Sequence, residues 1–274
     1  MNTIETAPEM ETLKTKLKST WEAGDYAEFA QYLEAGALEF LERLNLKPGT
    51  KVLDIACGAG QITIPMAKQG ADVTAIDLAQ NLVDRANERA QEAGLDISIQ
   101  QGDAEALPFP DQSFDVSLSL IGSMFAPRPE LVASEMARVT KPGGKMIMGN
   151  WTPEGHVGQM FKVVGKFVPP PSIFPSPLMW GIPEKVVERF GDTVSNLEIT
   201  RHLYPFRYPF GPLEVADFFI KYYGPTFMAN RALEGDAREA FRQEFAEVWT
   251  RNNEATDGTT AVNAAYLQII GTRK

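Results

Sequence analysis

Apolar and polar positions along residues 46–151 follow a repeating strand-then-helix pattern. Short apolar runs that fit buried strands end near Ile55, Ile76 and Ile99. Between the second and third runs, residues 79–93 place leucine, valine and alanine on one face at helical spacing. This alternation is typical of a parallel sheet covered by helices on both faces. The pattern therefore predicts a doubly wound α/β domain.

The two flanking regions have different patterns. Residues 1–45 are predicted to form an N-terminal helical segment, because their apolar residues recur at helical spacing. Residues 152–274 are predicted to contain further helices and two strands, the first of which is expected over residues 194–204. Within this part, the segments 153–191 and 205–260 are rich in aromatic residues, and we expect them to form a helical lid over a ligand site.

Composition limits the classes of function. With 274 residues, 44% of them hydrophobic, the chain can form one enlarged domain or a domain with a cap. No apolar run reaches 18 residues, so we expect no membrane span, and residues 1–19 lack the apolar segment of a signal peptide. A single cysteine, Cys57, favours a reducing cytoplasm. The net charge of −10 disfavours nucleic acid as a partner.

The loop after the first strand carries the most specific signal. Gly58 and Gly60 lie where the strand passes into a helical segment, and glycine there lets a ligand approach the backbone. The next strand ends on Asp77, which is placed to accept hydrogen bonds from a ribose diol. Together these features predict a site for an adenosine-containing cofactor.

Two residues argue against a dinucleotide in this site. The third glycine of a dinucleotide fingerprint is replaced by Thr63, which is bulky and β-branched. The first strand also contains Asp54, whose carboxylate is poorly placed beside a pyrophosphate and well placed beside a cation. S-adenosylmethionine has an ammonium and a sulfonium and no phosphate, so it fits this pattern better.

The run Asp54-x-Ala56-x-Gly58-x-Gly60 resembles motif I of the class I S-adenosylmethionine-dependent methyltransferases. Further matches follow in order at residues 102–104, 107–109, 113–116 and 135–145, as in the small-molecule branch that includes quinone-biosynthesis enzymes. The resemblance implies a Rossmann-like fold with a seven-stranded, mostly parallel sheet whose last strand is antiparallel. It also implies that residues 46–151 are the cofactor-binding core.

The resemblance assigns cofactor contacts residue by residue. It implies that Asp77 binds the ribose hydroxyls, that Asp103 holds the adenine edge, and that Asp54 faces the methionyl ammonium. Each polar residue also has a structural alternative, since Asp77 or Asp103 can cap a helix or turn and Ser119 can be a small residue in a buried strand. The expected cofactor-binding residues are Asp54, Ala56, Gly58, Gly60, Gln61, Asp77, Leu78, Asp103, Ala104 and Ser119.

The acceptor side has fewer signals. Of the two histidines, His156 follows the predicted fifth strand and is the candidate general base, whereas His202 lies on a predicted strand. The sequence shows no His/Cys cluster with metal-ligand spacing, so no metal is expected. The many aromatic residues after Trp180 suit an apolar or flat acceptor.

The sequence therefore predicts an enzyme that transfers a methyl group from S-adenosylmethionine to a small, apolar or aromatic molecule by in-line displacement. Two alternatives stay open at this point: a nicotinamide-dependent oxidoreductase, and a non-catalytic protein that binds S-adenosylmethionine. The sequence does not identify the acceptor, the element that is methylated, the need for a general base or the oligomeric state.

Overall fold

A seven-stranded sheet organises the chain. The computed structural model describes residues 8–274. The strands are β1 (Lys51–Ile55), β2 (Asp72–Asp77), β3 (Ser98–Gln101), β4 (Phe114–Leu120), β5 (Thr140–Trp151), β6 (Val194–Tyr208) and β7 (Thr260–Arg273).

The strand order is β3-β2-β1-β4-β5-β7-β6. Strands β1 to β5 pair in parallel, with Leu53 of β1 opposite Thr74 of β2. Strand β7 runs antiparallel to both β5 and β6, with Ile269 opposite Met148 on one side and Ile199 on the other. The predicted fold class, including the antiparallel last strand, is confirmed.

Helices precede, connect and cover these strands. Buried Leu82, Val83, Ala86 and Ala90 form one face of the helix after β2, as the spacing predicts. The α-helices of residues 8–274 are α1 (Pro8–Trp21), α2 (Tyr26–Ala30), α3 (Glu34–Leu44), α4 (Thr63–Lys68), α5 (Gln80–Glu92), α6 (Pro129–Val139), α7 (His156–Phe167), α8 (Pro183–Phe190), α9 (Pro212–Tyr222), α10 (Gly224–Arg231) and α11 (Gly235–Asn252).

Strand β6 is longer than its sequence pattern indicates. The expected end at Tyr204 is wrong, because Phe206 and Tyr208 continue the inward-facing alternation and are 2% exposed each. Residues 205–208 pair with β7 and belong to the sheet, so the predicted lid segment 205–260 begins too early. The sequence pattern does not indicate that β6 continues past Tyr204, because proline, here Pro205, is uncommon in the interior of a strand.

The helical cover consists of parts that are far apart in sequence. Helix α11 packs on α7 and α9, and α10 packs on α9, α11 and α1. The short helix α2 also contacts α9, so the N-terminal segment is part of the cover. Helix α8 contacts α6 and β6 instead. No helix within residues 8–274 has the length and apolarity needed to cross a bilayer.

Candidate functional site

A cavity lies at the carboxyl ends of β1, β2 and β4, under the N-terminal helices and the cover. Its polar end is formed by the loop after β1, the tip of β2 and the turn after β3, and its aromatic end by α1, α2, α7 and α9. Carboxyl ends of parallel strands are where ligands bind in open α/β sheets. The sheet topology thus brings the predicted positions to one edge.

The loop after β1 forms the floor of the polar end. Ala56 and Gly58 both have φ of +57°, so the backbone turns sharply into the cavity. A Cβ atom on Gly58 would lie 3.0 Å from Oε1 of Gln61 and 3.5 Å from Cε1 of Tyr26. Glycine therefore keeps open the space between these two side chains. Helix α4 begins at Thr63 and not directly after Gly60, because the turn occupies the intervening residues.

Asp77 joins the tip of β2 to this loop. Its carboxylate accepts hydrogen bonds from the backbone N–H of Gly58 at 2.8 Å and of Ala79 at 2.9 Å. The side chain is buried, and burial raises its pKa, while the backbone hydrogen bonds act in the opposite direction. Each oxygen keeps a further lone pair, so the carboxylate can also accept from a ligand.

Asp54 is the other buried carboxylate of the polar end. Its Oδ2 accepts a hydrogen bond from the hydroxyl of Thr63 at 2.6 Å. Thr63, which stands in place of the third glycine of a dinucleotide fingerprint, therefore has a role as the partner of Asp54. Burial raises the pKa of Asp54 to about 7, and the nearby Asp77 adds to the rise against the effect of the Thr63 hydrogen bond. A cation in the cavity would favour the charged form and lower this pKa.

The turn after β3 is tied to the N-terminal helix. Asp103 accepts from the backbone N–H of Glu105 at 2.9 Å and also receives the ammonium of Lys14. The same ammonium lies 2.6 Å from the fully buried carboxylate of Glu105, which also pairs with Arg128. Helix α1 is thus fixed over this turn by charge, and Lys14 contributes to the cavity lining.

The structure brings most of the predicted cofactor residues to the cavity and leaves two outside its lining. Ser119 donates to the carbonyl of Ile55 at 2.8 Å and accepts from the N–H of Ser123 at 3.0 Å, so its hydroxyl ties strands and turn together. Gly60 packs beneath the loop, where a Cβ would lie 3.3 Å from Ile64. The predicted residues that line the cavity are Asp54, Ala56, Gly58, Gln61, Asp77, Leu78, Asp103 and Ala104.

Ser123 is a candidate ligand contact that the sequence reasoning missed. It lines the cavity, is 2% exposed, and its hydroxyl has no hydrogen-bond partner within residues 8–274. A buried polar atom without a protein partner is an expected contact for a ligand or water. Its place in the sequence could have indicated this contact, because Ser123 closely follows the end of β4, and the polar end is built from residues that follow the ends of neighbouring strands.

The aromatic end carries no charged side chain among the described lining residues. All of the charged lining residues, Lys14, Asp54, Asp77 and Asp103, belong to the polar end. Of the aromatic residues after Trp180, only Phe206, Phe219 and Tyr223 line the cavity. The aromatic end is lined by Trp21, Tyr26, Phe29, Leu33, Leu120, Phe125, Trp151, Val157, Met160, Phe161, Phe206, Phe219 and Tyr223.

The candidate general base, His156, does not line the cavity. Its ring is 3% exposed, packs 4.3 Å from the ring of Trp249, and has no hydrogen-bond partner within the described chain. Burial lowers the pKa of His156 to about 3. The next residue, Val157, faces the cavity instead, because one step along a helix rotates the side chain by about 100°. Such a histidine is poorly suited to act as a base.

Metal-ligand geometry is also absent from the part of the chain that the structure describes. No group of three or more histidine, cysteine, aspartate or glutamate side chains in residues 8–274 is arranged to hold an ion. The carboxylates of the polar end instead accept hydrogen bonds from the backbone and from Thr63.

Comparison with known proteins gives consistent results. A family described as a methyltransferase domain matches residues 53–148. An uncharacterised protein of Mycobacterium tuberculosis strain H37Rv is 39% identical over 236 residues, which cover 85% of this chain and 86% of that protein. The demethylmenaquinone methyltransferase of Lactobacillus johnsonii is 38% identical over 113 residues, covering 39% of this chain and 46% of that enzyme.

The fold has solved relatives. Phosphoethanolamine N-methyltransferase 2 of Haemonchus contortus, in complex with S-adenosyl-L-methionine, is similar with a TM-score of 0.56 and 20% identity. The match covers 86% of this chain and 52% of that chain. At this identity the likeness shows the fold alone.

Proposed function

The chain belongs to the family of class I S-adenosylmethionine-dependent methyltransferases, and from that premise we propose that its acceptor is a small, uncharged and largely apolar molecule bound in the aromatic end. The observation that carries the proposal is the division of one cavity into a polar end with every charged lining residue and an aromatic end with none.

The polar end fits the cofactor. Gly58 leaves space that a side chain would fill, and the hydroxyl of Ser123 and the amide nitrogen of Gln61 are buried without protein partners. We assign the ribose hydroxyls to Asp77, the adenine edge to Asp103 and Ala104, and its face to Leu78. The methionyl end is assigned to Asp54 and the backbone of Ala56, together with Ser123 and Gln61. When bound, S-adenosylmethionine supplies a methyl group that its sulfonium already activates.

The aromatic end selects against charge. A carboxylate or ammonium moved from water into this end would lose its hydration and find no opposite charge among the residues that line the aromatic end. A flat apolar molecule would instead bury its surface against Trp21, Phe29, Phe206 and Phe219. The acceptor must therefore present its nucleophilic atom in a neutral form.

The chain's own residues contribute position and exclusion of water. The phenols of Tyr26 and Tyr223 remain protonated near neutral pH, because burial raises the pKa of both. With His156 outside the lining, none of the described residues of the aromatic end has a side chain suited to remove a proton. An acceptor that already has an available lone pair needs only orientation and a dry cavity.

A panel of acceptors tests this proposal. Formation of S-adenosylhomocysteine should be measured with phenols, quinols, aromatic amines, thiols and halides, and with charged analogues of similar size. Turnover is expected with neutral aromatic acceptors. The Phe206→Ala variant should change the preferred acceptor and bind S-adenosylhomocysteine within about twofold of wild type, whereas Phe210→Ala, outside the lining, should change neither. Turnover confined to charged acceptors would contradict the proposal.

A further inference from the structure

Two phenols meet inside the cavity at the border between its two ends. Tyr26 comes from α2 and Tyr223 from the junction of α9 and α10, and their ring centroids lie 6.4 Å apart. The ring of Tyr26 lies above Gly58 on the cofactor side. The ring of Tyr223 faces the acceptor side, 4.9 Å from Phe29 and 5.7 Å from Phe219.

The hydroxyls of this pair are not used by the protein. Neither hydroxyl makes a hydrogen bond within the described residues. Burial raises the pKa of both, Asp77 adds to the rise for Tyr26, and Tyr26 adds to the rise for Tyr223. Among the other buried tyrosines, Tyr204 donates to the carbonyl of Leu33 and Tyr266 accepts from Arg43. The hydroxyl of Tyr208 is also without a partner within the described residues, but Tyr208 does not line the cavity. Buried tyrosine hydroxyls normally find a partner, so an unused one that lines a ligand cavity is available to the ligand.

The backbone holds Tyr223 firmly in place. Its N–H donates to the carbonyl of Phe219 at 2.9 Å, and its carbonyl accepts from the hydroxyl of Thr226 at 3.0 Å. A Cβ on the following Gly224 would lie 2.0 Å from the carbonyl oxygen of Thr20, so the α10 start is packed directly against the end of α1. A side chain fixed in this way can select a ligand group by position.

We propose that Tyr223 is the specificity-determining residue of the acceptor end and that its hydroxyl forms a hydrogen bond with a heteroatom on an otherwise apolar acceptor. The ring of Tyr26 lies next to that of Tyr223 and also next to Gly58 of the loop after β1. The inference rests on the proposed function, because it needs an acceptor in the aromatic end. It adds that the acceptor carries a neutral hydroxyl, carbonyl or uncharged nitrogen near its methylated position.

Two probes that differ by one hydroxyl test the inference. The wild-type protein is saturated with S-adenosylhomocysteine, and dissociation constants of naphthalene and 2-naphthol are measured by equilibrium dialysis. Their ratio isolates the contribution of the hydroxyl. In Tyr223→Phe the ratio should shift by about five- to tenfold against 2-naphthol, which corresponds to one neutral hydrogen bond. Naphthalene and S-adenosylhomocysteine should bind this variant as they bind wild type.

The neighbouring Tyr222→Phe is the matched control, because Tyr222 does not line the cavity. It should leave the ratio unchanged. Because both probes are measured on the same variant, a general weakening of the fold cancels from the ratio. An unchanged ratio in Tyr223→Phe, or an equal change in Tyr222→Phe, overturns the role of Tyr223 and leaves the proposed function intact. Failure of both probes to bind wild type overturns the apolar acceptor end and this inference together.

Discussion

The carboxylate of Asp77 connects two segments that lie far apart in the sequence. It holds the N–H of Gly58 at the floor of the cavity and the N–H of Ala79 at the start of α5. Asp77 therefore supports the loop that we propose to bind the cofactor, and it is also proposed to contact the cofactor itself. Its substitution should therefore affect stability and binding together, a dependence that the sequence alone did not indicate.

We expect Asp77→Ala to weaken S-adenosylhomocysteine binding by about ten- to a hundredfold, or 1.5–3 kcal/mol, through the lost charge-assisted hydrogen bonds. The free energy of unfolding without ligand should also fall by about 1–3 kcal/mol, because two backbone N–H groups lose their acceptor. Calorimetry and urea unfolding measure the two effects. Asp72→Ala, at the exposed start of the same strand, should change neither. Normal binding by a folded Asp77→Ala protein would refute the ribose assignment.

His156 makes the stability of the folded protein depend on pH. Its pKa is about 3 in the folded state and near 6.5 when unfolded, so below pH 6.5 the unfolded chain binds the extra proton. Its contribution to stability is complete above pH 6.5 and is lost as the pH falls toward 3, at about 1.4 kcal/mol per pH unit. His156→Leu should reduce this slope in urea unfolding between pH 4 and 6.5.

The same variant tests the remaining catalytic interpretation of His156. Turnover by folded His156→Leu should equal that of wild type at pH 7.5, because the ring does not line the cavity. His202→Leu is the matched comparison, since His202 is only half-buried and bonds to the hydroxyl of Thr200 at 3.0 Å. Loss of turnover with intact cofactor binding would restore His156 as a base.

At the scale of elements, helix α1 closes one side of the cavity. Lys14 bridges Asp103 and Glu105 above the turn after β3, and Trp21 packs edge-on against Phe125 at 4.9 Å. One helix thus contributes to both the polar and the aromatic end. In the proposed binding mode the cofactor lies beneath α1, and we expect α1 to move when the cofactor leaves.

We expect Lys14→Met to speed dissociation of S-adenosylhomocysteine by about tenfold, because the variant keeps the length of the side chain and removes its charge from two carboxylates. Stopped-flow displacement measures this rate. Lys18→Met is the control on the same helix, because its pair with Glu22 is 3.7 Å long and exposed. An equal effect of both variants, or none from Lys14→Met, would show that the bridge does not retain the cofactor.

At the scale of the whole molecule, the cavity wall is assembled from both ends of the chain. Helices α1 and α2 meet α9 and α10, and the sheet is completed by β6 and β7 from the C-terminal part. The domain limits drawn at residues 45 and 151 remain a prediction, and the sheet crosses the limit at residue 151 while the cavity lining crosses both.

Hydrogen exchange should therefore report cofactor binding across the whole wall. With S-adenosylhomocysteine at a hundred times its dissociation constant, amides that exchange through cavity opening should slow by up to about a hundredfold. We expect protection at residues 8–30, 54–62, 156–161 and 212–223. Helix α8, residues 183–190, contacts α6 and β6 and should not respond. Protection confined to residues 54–62 would contradict a jointly closed wall.

The sequence by itself determined the fold class and the family. The glycines and Asp77 lie on consecutive elements, and an α/β alternation places such positions at one sheet edge whatever the rest of the chain does. Expected contacts such as Asp54 and Asp103 consequently line the cavity. These signals are local, because a strand, its turn and the next helix are close in sequence.

Only the tertiary structure decided the aromatic end. Tyr26 and Tyr223 lie far apart in the sequence, and no spacing rule indicates that their rings come within 6.4 Å of each other in the cavity. The burial of His156 against Trp249 and the bridge from Lys14 to Asp103 likewise depend on how distant helices pack. A periodic pattern tells which face of an element is buried, whereas the partner of that face is set by the packing of the whole chain.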